Sequence, residues 1–216
     1  FYELIDAHYS ETISGALKDA SNKKTKHRFI VSTQDQKKEI DNFKSTRKVA
    51  QPKRHGAPNI NKRYTFESFI EGTNNEFAKT AAQSVAAEPG KSSFNPLIIY
   101  GGVGLGKTHL LHAIGNRVAQ NNPESNVVIV TSEKFTLDFV NSLRKNRTIE
   151  FSQQYRNSDV LLIDDIQFFR GKEQTQEQFF HTFNVLHQAG KQIVMTADKY
   201  PGEMKGLKER LLSRFQ

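Results

Sequence analysis

The sequence predicts an α/β fold: a parallel sheet sandwiched by helices, preceded by a partial small α+β domain and a flexible basic linker. Three observations carry this prediction. Four short runs, "PLIIY" (96–100), "NVVIVTS" (126–132), "DVLLID" (159–164) and "QIVMTA" (192–197), are apolar nearly throughout and alternate with helical stretches. Strands without a polar face belong to parallel sheets covered on both sides. The first run leads straight into a loop with four glycines in six positions, 101–106, and then into a helical pattern. Finally, the net charge of +8 is unevenly placed: residues 1–63 hold 14 of the 31 Lys/Arg and 7 of the 23 Asp/Glu, so residues 64–216 are nearly neutral.

The elements follow in chain order. In "ELIDAHYSETISGAL" (3–17), Leu4, Ile5, Tyr9, Ile13 and Leu17 recur near a helical period, and "HRFIVS" (27–32) reads as a strand. Together they are too little to close a core, so residues 1–33 read as the end of a domain that begins upstream. Residues 34–62 are polar and charged, with Pro52, Gly56 and Pro58 and almost no large apolar side chain, which is linker composition. The basic run is either a contact for nucleic acid or a linker held open by its own repulsion. Few aromatics are present there to stack bases, which favours the linker.

From Tyr64 the character changes. "YTFESFIEG" (64–72) alternates aromatic and polar residues. Thr73 and Glu76 have capping-box spacing for a helix running to about Ala87, and Pro89-Gly90 ends it. Helices are further expected over 107–121, 133–145, 148–156, 173–188 and 206–214, with Gly190 closing the one over 173–188. There is no Cys, which excludes a disulfide scaffold and a thiolate zinc site, and no run nears the ~20 apolar residues of a membrane span. The chain opens on Phe1 and ends at Gln216 just past a helical pattern, so it reads as a fragment of a longer protein.

The glycine loop explains itself chemically. Gly101-Gly102-Val103-Gly104-Leu105-Gly106-Lys107-Thr108 fits G-x-x-x-x-G-K-[ST] between a strand and a helix. Gly102, Gly104 and Gly106 let the backbone wrap a phosphate chain with N–H groups aimed inward, at a helix N-terminus that carries partial positive charge. In that arrangement Lys107 reaches the outer phosphates of ATP and the Thr108 hydroxyl ligates Mg²⁺. Asp164 and Asp165 end the apolar run "VLLIDD", at the sheet edge where parallel sheets bind ligands. Asp164 is the expected second metal contact, and Asp165 the residue that orients or deprotonates the attacking water. Asp198 follows the fourth strand. If that strand lies beside the first and third, Asp198 or Thr196 reaches the outer phosphate; otherwise "ADKYPG" is an ordinary turn. Arg210 and Arg214, four apart, share a face of the last helix. On spacing alone they read as a solvated basic helix end.

With these motifs in order, the chain resembles the AAA+ ATPases. "NPLIIYGGVGLGKTHLLHAIGN", "DVLLIDDIQFF", "EQFFHTFN" and "ERLLSRF" resemble the bacterial chromosomal replication initiators, the DnaA family, densely over residues 64–216. The resemblance implies that 1–33 is the end of an N-terminal partner-binding domain, 34–62 a variable linker and 63–216 the AAA+ nucleotide-binding domain. A helical lid with a second sensing arginine, and a helix-turn-helix domain for duplex origin DNA, would follow Gln216. It implies an ATP-switched initiator with slow hydrolysis of ATP to ADP. Bound to ATP, such a protein assembles into a helical oligomer on origin DNA, melts the duplex and helps load the replicative helicase. It further implies acidic phospholipids as a partner and a cytoplasmic, nucleoid-associated location. Arg214 becomes the arginine finger and Asp198 a sensor of the outer phosphate. Phe69 and Ile70 line the adenine pocket. Val140 and Lys172 contact single-stranded DNA. Residues 132–157 become the initiator-specific insertion. Many members carry a basic residue where this chain has Gln174, although Arg170 and Lys172 keep that loop basic. An AAA+ helicase loader or regulator and, from another class, a phosphate-loop small-molecule kinase are the competing readings. The basic linker and the partial upstream domain favour the initiator, and the Asp-Asp pair with the terminal arginines speaks against the kinase.

Overall fold

The computed structural model describes residues 60–215; the expected elements of 1–33, and the linker as far as residue 59, lie outside the described residues. Within 60–215 the chain forms four strands and six α-helices. In order they are α1 (Glu76–Ala87), β1 (Leu97–Tyr100), α2 (Lys107–Asn121), β2 (Val127–Thr131), α3 (Ser132–Arg144), α4 (Thr148–Arg156), β3 (Val160–Asp164), α5 (Glu173–Gln188), β4 (Gln192–Ala197) and α6 (Glu209–Phe215). Two short 3₁₀ turns, Ile166–Phe169 and Pro201–Glu203, precede α5 and α6.

The sheet order is β1-β4-β3-β2, parallel throughout, with Ile99 opposite Thr196, Leu162 opposite Val194 and Thr131 opposite Asp164. The alternation of side chains along a strand divides the core in two. Val160, Leu162 and Val194 face α1 and α2 together with Phe66, Phe69, Leu110, Leu111 and Ile114. Leu161, Ile163, Ile193 and Met195 face the other layer, α3 to α6. That second layer is aromatic. Phe135 is fully buried, with Phe151, Tyr155, Phe169 and Phe179 rings 4.7–5.8 Å away between centroids. Burial of such a ring stabilises the fold by roughly 2–3 kcal/mol. Tyr155 also donates a 2.8 Å hydrogen bond to Asp138, tying α4 to α3, and burial pushes its hydroxyl pKa far up.

Two local expectations need correction. No capping box forms at Thr73: the N-cap of α1 is Asn75, whose Oδ1 accepts instead from the Gly72 N–H at 2.9 Å and whose Nδ2 donates to the Ile70 carbonyl. The asparagine folds the preceding turn back on itself, and this satisfies local backbone groups that the box would have left. Residues 60–62, assigned to the linker, already touch the domain: Ile60 packs against the α1–α2 face, and the Asn61 N–H donates to His112 Nδ1 at 3.1 Å. Gly190 closes α5 as expected. It is left-handed (φ 66°), its N–H reaches the His187 carbonyl and the Lys191 N–H reaches that of Leu186, a Schellman ending.

That ending is itself packed. Gly90, left-handed at φ 78°, passes so close to it that a Cβ at 90 would lie 2.1 Å from the Gly190 carbonyl oxygen. Backbone cannot yield as a side-chain tip can. Gly90→Ala should therefore lower stability by about 2 kcal/mol or more, read as a reduced midpoint in chemical unfolding. An unchanged midpoint would contradict this packing.

Candidate nucleotide site

All four strands deliver their C-terminal ends to one edge, where the glycine loop leaves β1, Asp164 and Asp165 end β3, and Asp198 follows β4. The ladder between β1 and β4 runs one step past β1, with the Gly101 N–H on the Ala197 carbonyl at 3.2 Å. The loop then departs. Gly104 (φ 80°) and Gly106 (φ 86°) are left-handed, a conformation that costs side-chain-bearing residues about 1 kcal/mol or more. Gly106 is also the N-cap of α2, and a Cβ there would meet the Phe69 ring at 2.7 Å. Lys107 folds back across the loop, its Nζ donating to the Gly101 and Gly102 carbonyls at 2.8 and 2.7 Å.

In the first turn of α2, the Thr108 hydroxyl donates to Asp164 Oδ2 at 2.8 Å, spanning the gap between α2 and the end of β3. The other carboxylate oxygen of Asp164 accepts from the Thr196 hydroxyl of β4. Thr196 in turn accepts the Asp165 N–H at 2.8 Å. Asp164 is only 8% exposed, so two hydroxyl donors hold its buried charge in place. The condition set for β4 is met: it lies between β1 and β3, and it is Thr196 that reaches the acidic pair.

Asp165 leaves the strand in a left-handed conformation (φ 58°, ψ 57°), uncommon for a residue with a side chain. Three contacts hold it there. Its N–H is on Thr196, its carbonyl accepts from the Ser132 hydroxyl at 2.6 Å, and its Oδ1 accepts from Gln167 Nε2 at 2.9 Å. Gln167 spends its other end on Asp198, taking that residue's N–H on Oε1 at 3.2 Å. Asp198 is paired through its carboxylate with Arg170 at 3.3 Å. Gln167, Arg170 and Ser132 therefore belong to the site, and of these only Arg170 stands out in the sequence, for its charge. A glutamine in a polar turn carries no periodic signal. Its role exists only once β3 and β4 are adjacent.

The segment before α1 is docked by histidines. His109 Nε2 lies 2.7 Å from the Thr65 carbonyl, and its ring stacks on Tyr64 and meets the edge of Phe69. Phe69 is buried beneath the loop, whereas Ile70 is 89% exposed. His112 is held differently: because its Nδ1 accepts the Asn61 N–H, the ring is neutral with its proton on Nε2. Burial, aided by His109, lowers its pKa below the ordinary 6.5, with Asp164 opposing. A histidine whose folded pKa is depressed contributes stability that is complete above its unfolded pKa and drains away as pH falls through the folded one. Melting temperatures should drop on going from pH 7.5 to 5.5, and less so in His112→Asn. Equal drops in the two proteins would contradict the assignment.

The remaining marked residues lie on or beside α3, α5 and α6. Arg210 lies over the Phe180 ring, 4.8 Å from its centroid, and pairs with Glu177 at 2.8 Å; that guanidinium holds Glu177 below the usual carboxylate range. Arg214 is exposed on α6 and makes no ion pair among the described residues. Val140, on α3, and Lys172, the residue preceding α5, are half-buried. Both elements pack against the 3₁₀ turn that follows Asp165.

Comparison with known proteins places this arrangement. The family model described as the bacterial DnaA ATPase domain matches residues 60–216. Domain III of the Thermotoga maritima replication initiation protein DnaA is 52% identical, with a TM-score of 0.71, over 73% of this chain and 65% of that one. DnaA from Aquifex aeolicus bound to AMPPCP is 41% identical, with a TM-score of 0.69, over 72% of this chain and 48% of that one. A replication initiator DnaA bound to AMPPCP and single-stranded DNA gives the same figures. The chain thus spans about two thirds of the first of these and about half of the others. The DnaC helicase loader, 16% identical with a TM-score of 0.62, shares the fold alone. Together with the loop, the acidic pair and the sheet order, the match to the family model shows that this chain belongs to the bacterial DnaA replication-initiator family, whose ATPase domain it carries.

Proposed function

We propose that the protein is an ATP-switched initiator of chromosomal replication, in which residues 60–215 bind and slowly hydrolyse ATP. The observation that carries this reading is the Thr108–Asp164 hydrogen bond across the mouth of the loop, with Lys107 folded over the same loop. A hydroxyl and a carboxylate are the hard oxygen donors that suit Mg²⁺, which binds through few protein ligands and keeps its remaining positions for water and phosphate. Thr108 and Asp164 would hold the ion, and when bound it neutralises charge on the phosphates. The Gly102–Thr108 amides and Lys107 bind the phosphate chain. Phe69, supporting Gly106 from below, and exposed Ile70 flank the space for the purine.

Hydrolysis falls to Asp165. Gln167 occupies its Oδ1, and Oδ2 makes no hydrogen bond among the described residues, so that oxygen is available to orient water or take its proton. The left-handed backbone fixes the direction of the carboxylate. Asp198, joined to the same glutamine, is the sensor of the outer phosphate. Its ion pair with Arg170 would weaken when a phosphate competes for the guanidinium. Arg214, exposed and without an ion pair among the described residues, serves as the finger onto a neighbouring protomer's nucleotide, and a helical oligomer follows from repeating that contact. Val140 and Lys172 contact single-stranded origin DNA. Duplex recognition, helicase loading, acidic phospholipids and a cytoplasmic, nucleoid-associated location complete the reading on the family's pattern.

The test is ATP-dependent assembly of the intact protein on single-stranded DNA, followed by sedimentation. Arg214→Ala should weaken assembly about 10- to 100-fold, the worth of a charge-assisted contact, with ATP binding kept. Lys172→Ala should lower the salt dependence of DNA binding by about one ion. A protein that retains ATP but never self-assembles, and responds only to a helicase, would overturn the initiator reading in favour of a loader.

A further inference from the structure

Gln176, on the first turns of α5, is a polar side chain that the nucleotide site does not use, yet it is only 1% exposed. Its amide is fully engaged. Nε2 donates to the Phe169 carbonyl and to the Gly206 carbonyl, each at 2.9 Å, and Oε1 accepts the Lys208 N–H at 2.8 Å. These three partners belong to two segments far apart in sequence. Phe169 ends the 3₁₀ turn that leaves Asp165. Gly206 and Lys208 lead directly into α6, the helix that carries Arg210 and Arg214.

The same seam is stitched at two more points. The Gly171 N–H reaches the Gly206 carbonyl at 3.3 Å, and left-handed Gly206 (φ 87°) faces Arg170, whose Cβ would lie 3.5 Å from a Cβ at 206. Arg170 is the partner of Asp198. On the outer side, Arg210 and Lys208 pair with Glu177, the neighbour of Gln176. Hydrogen bonds, joined by the short backbone from Asp165 to Gly171, thus lead from Asp165 and Asp198 to the start of α6, and buried Gln176 is an amide satisfied at both ends. Satisfied buried amides fix geometry, because moving either segment leaves a polar group unpaired in an apolar interior.

We propose that Gln176 is the positioning residue that sets the arginine-bearing helix α6 against the catalytic edge, so that the placement of Arg214 follows the segment leaving Asp165. This rests on the reading of Arg214 as the finger. It predicts a lesion that spares nucleotide binding and removes assembly, from a residue that touches neither nucleotide nor neighbour.

In the intact protein, Gln176→Met, close in volume but without the amide, should keep ATP affinity within about twofold and weaken ATP-dependent assembly by about tenfold or more. In the Arg214→Ala background the same substitution should add no further loss, since its effect passes through that arginine. A purely structural role would add its loss there too, and that additivity would overturn the proposal. So would wild-type assembly by a folded Gln176→Met protein in which Arg214→Ala alone abolishes assembly. If Arg214→Ala leaves assembly intact, the finger reading fails first, and Gln176 falls with it. Should the Met variant not fold, Gln176→Glu, which keeps the acceptor for Lys208 and loses both donors, takes its place. Hydrogen exchange of the unmodified protein provides a check free of mutation: the Lys208 amide should be as protected as the interior of α5, and exchange at the rate of an exposed loop would contradict the link.

Discussion

Lys107→Ala should weaken ATP binding by about 100-fold or more, measured by equilibrium titration of the intact protein with a fluorescent ATP analogue. A lysine that meets two phosphates through charge-assisted hydrogen bonds contributes about 1.5–3 kcal/mol for each. The structure adds a second reason. Lys107 holds the Gly101 and Gly102 carbonyls at 2.8 and 2.7 Å, so its loss also frees the backbone that must stay shaped around the phosphates. Arginine should not rescue, because its planar fork cannot occupy the position of a point charge inside a tight loop. An unchanged affinity in the alanine variant would show that the phosphates lie elsewhere.

Asp165→Asn should separate binding from chemistry. The side chain keeps its size and its bond partners, but its amide cannot take a proton and orients water less well. Single-turnover hydrolysis should fall by about 100-fold or more, while ATP affinity changes by no more than about threefold. The same substitution at Asp164 should behave differently. It replaces a buried carboxylate that accepts from both Thr108 and Thr196, so it should lose Mg²⁺-dependent binding as well as turnover. If Asp165→Asn and Asp164→Asn proved indistinguishable, the division of labour between the two acids would be wrong.

What could be read in the sequence follows from which forces are local. The four strands announced themselves because burial on both faces forbids polar positions, and β4 and α5 have the expected bounds. The phosphate loop was visible because only glycine suits the left-handed positions at 104 and 106. Gly190 was visible for the same reason. Thr73 misled because a capping box is a local pattern, and a competing local pattern, Asn75 on the Gly72 N–H, won. The contacts of Gln167 and Gln176 had no sequence signal at all. Each hydrogen-bonds residues about 30 positions away, and nothing in a polar stretch distinguishes a glutamine that ends up buried from one that stays in solvent. The docking of Asn61 and Tyr64 onto His109 and His112 was hidden likewise, since both histidines lie on a helix whose pattern already accounted for them.

The claim on which the rest depends is that the backbone of residues 102–108 encloses the phosphates of Mg²⁺-bound ATP. Amide chemical shifts of the isotope-labelled intact protein, followed during titration with Mg²⁺ and a non-hydrolysable ATP analogue, address it residue by residue. The largest changes should fall on Gly102, Gly104, Gly106, Lys107 and Thr108, with Thr196 and Asp165 next. Saturable binding that leaves those amides unmoved would contradict the account.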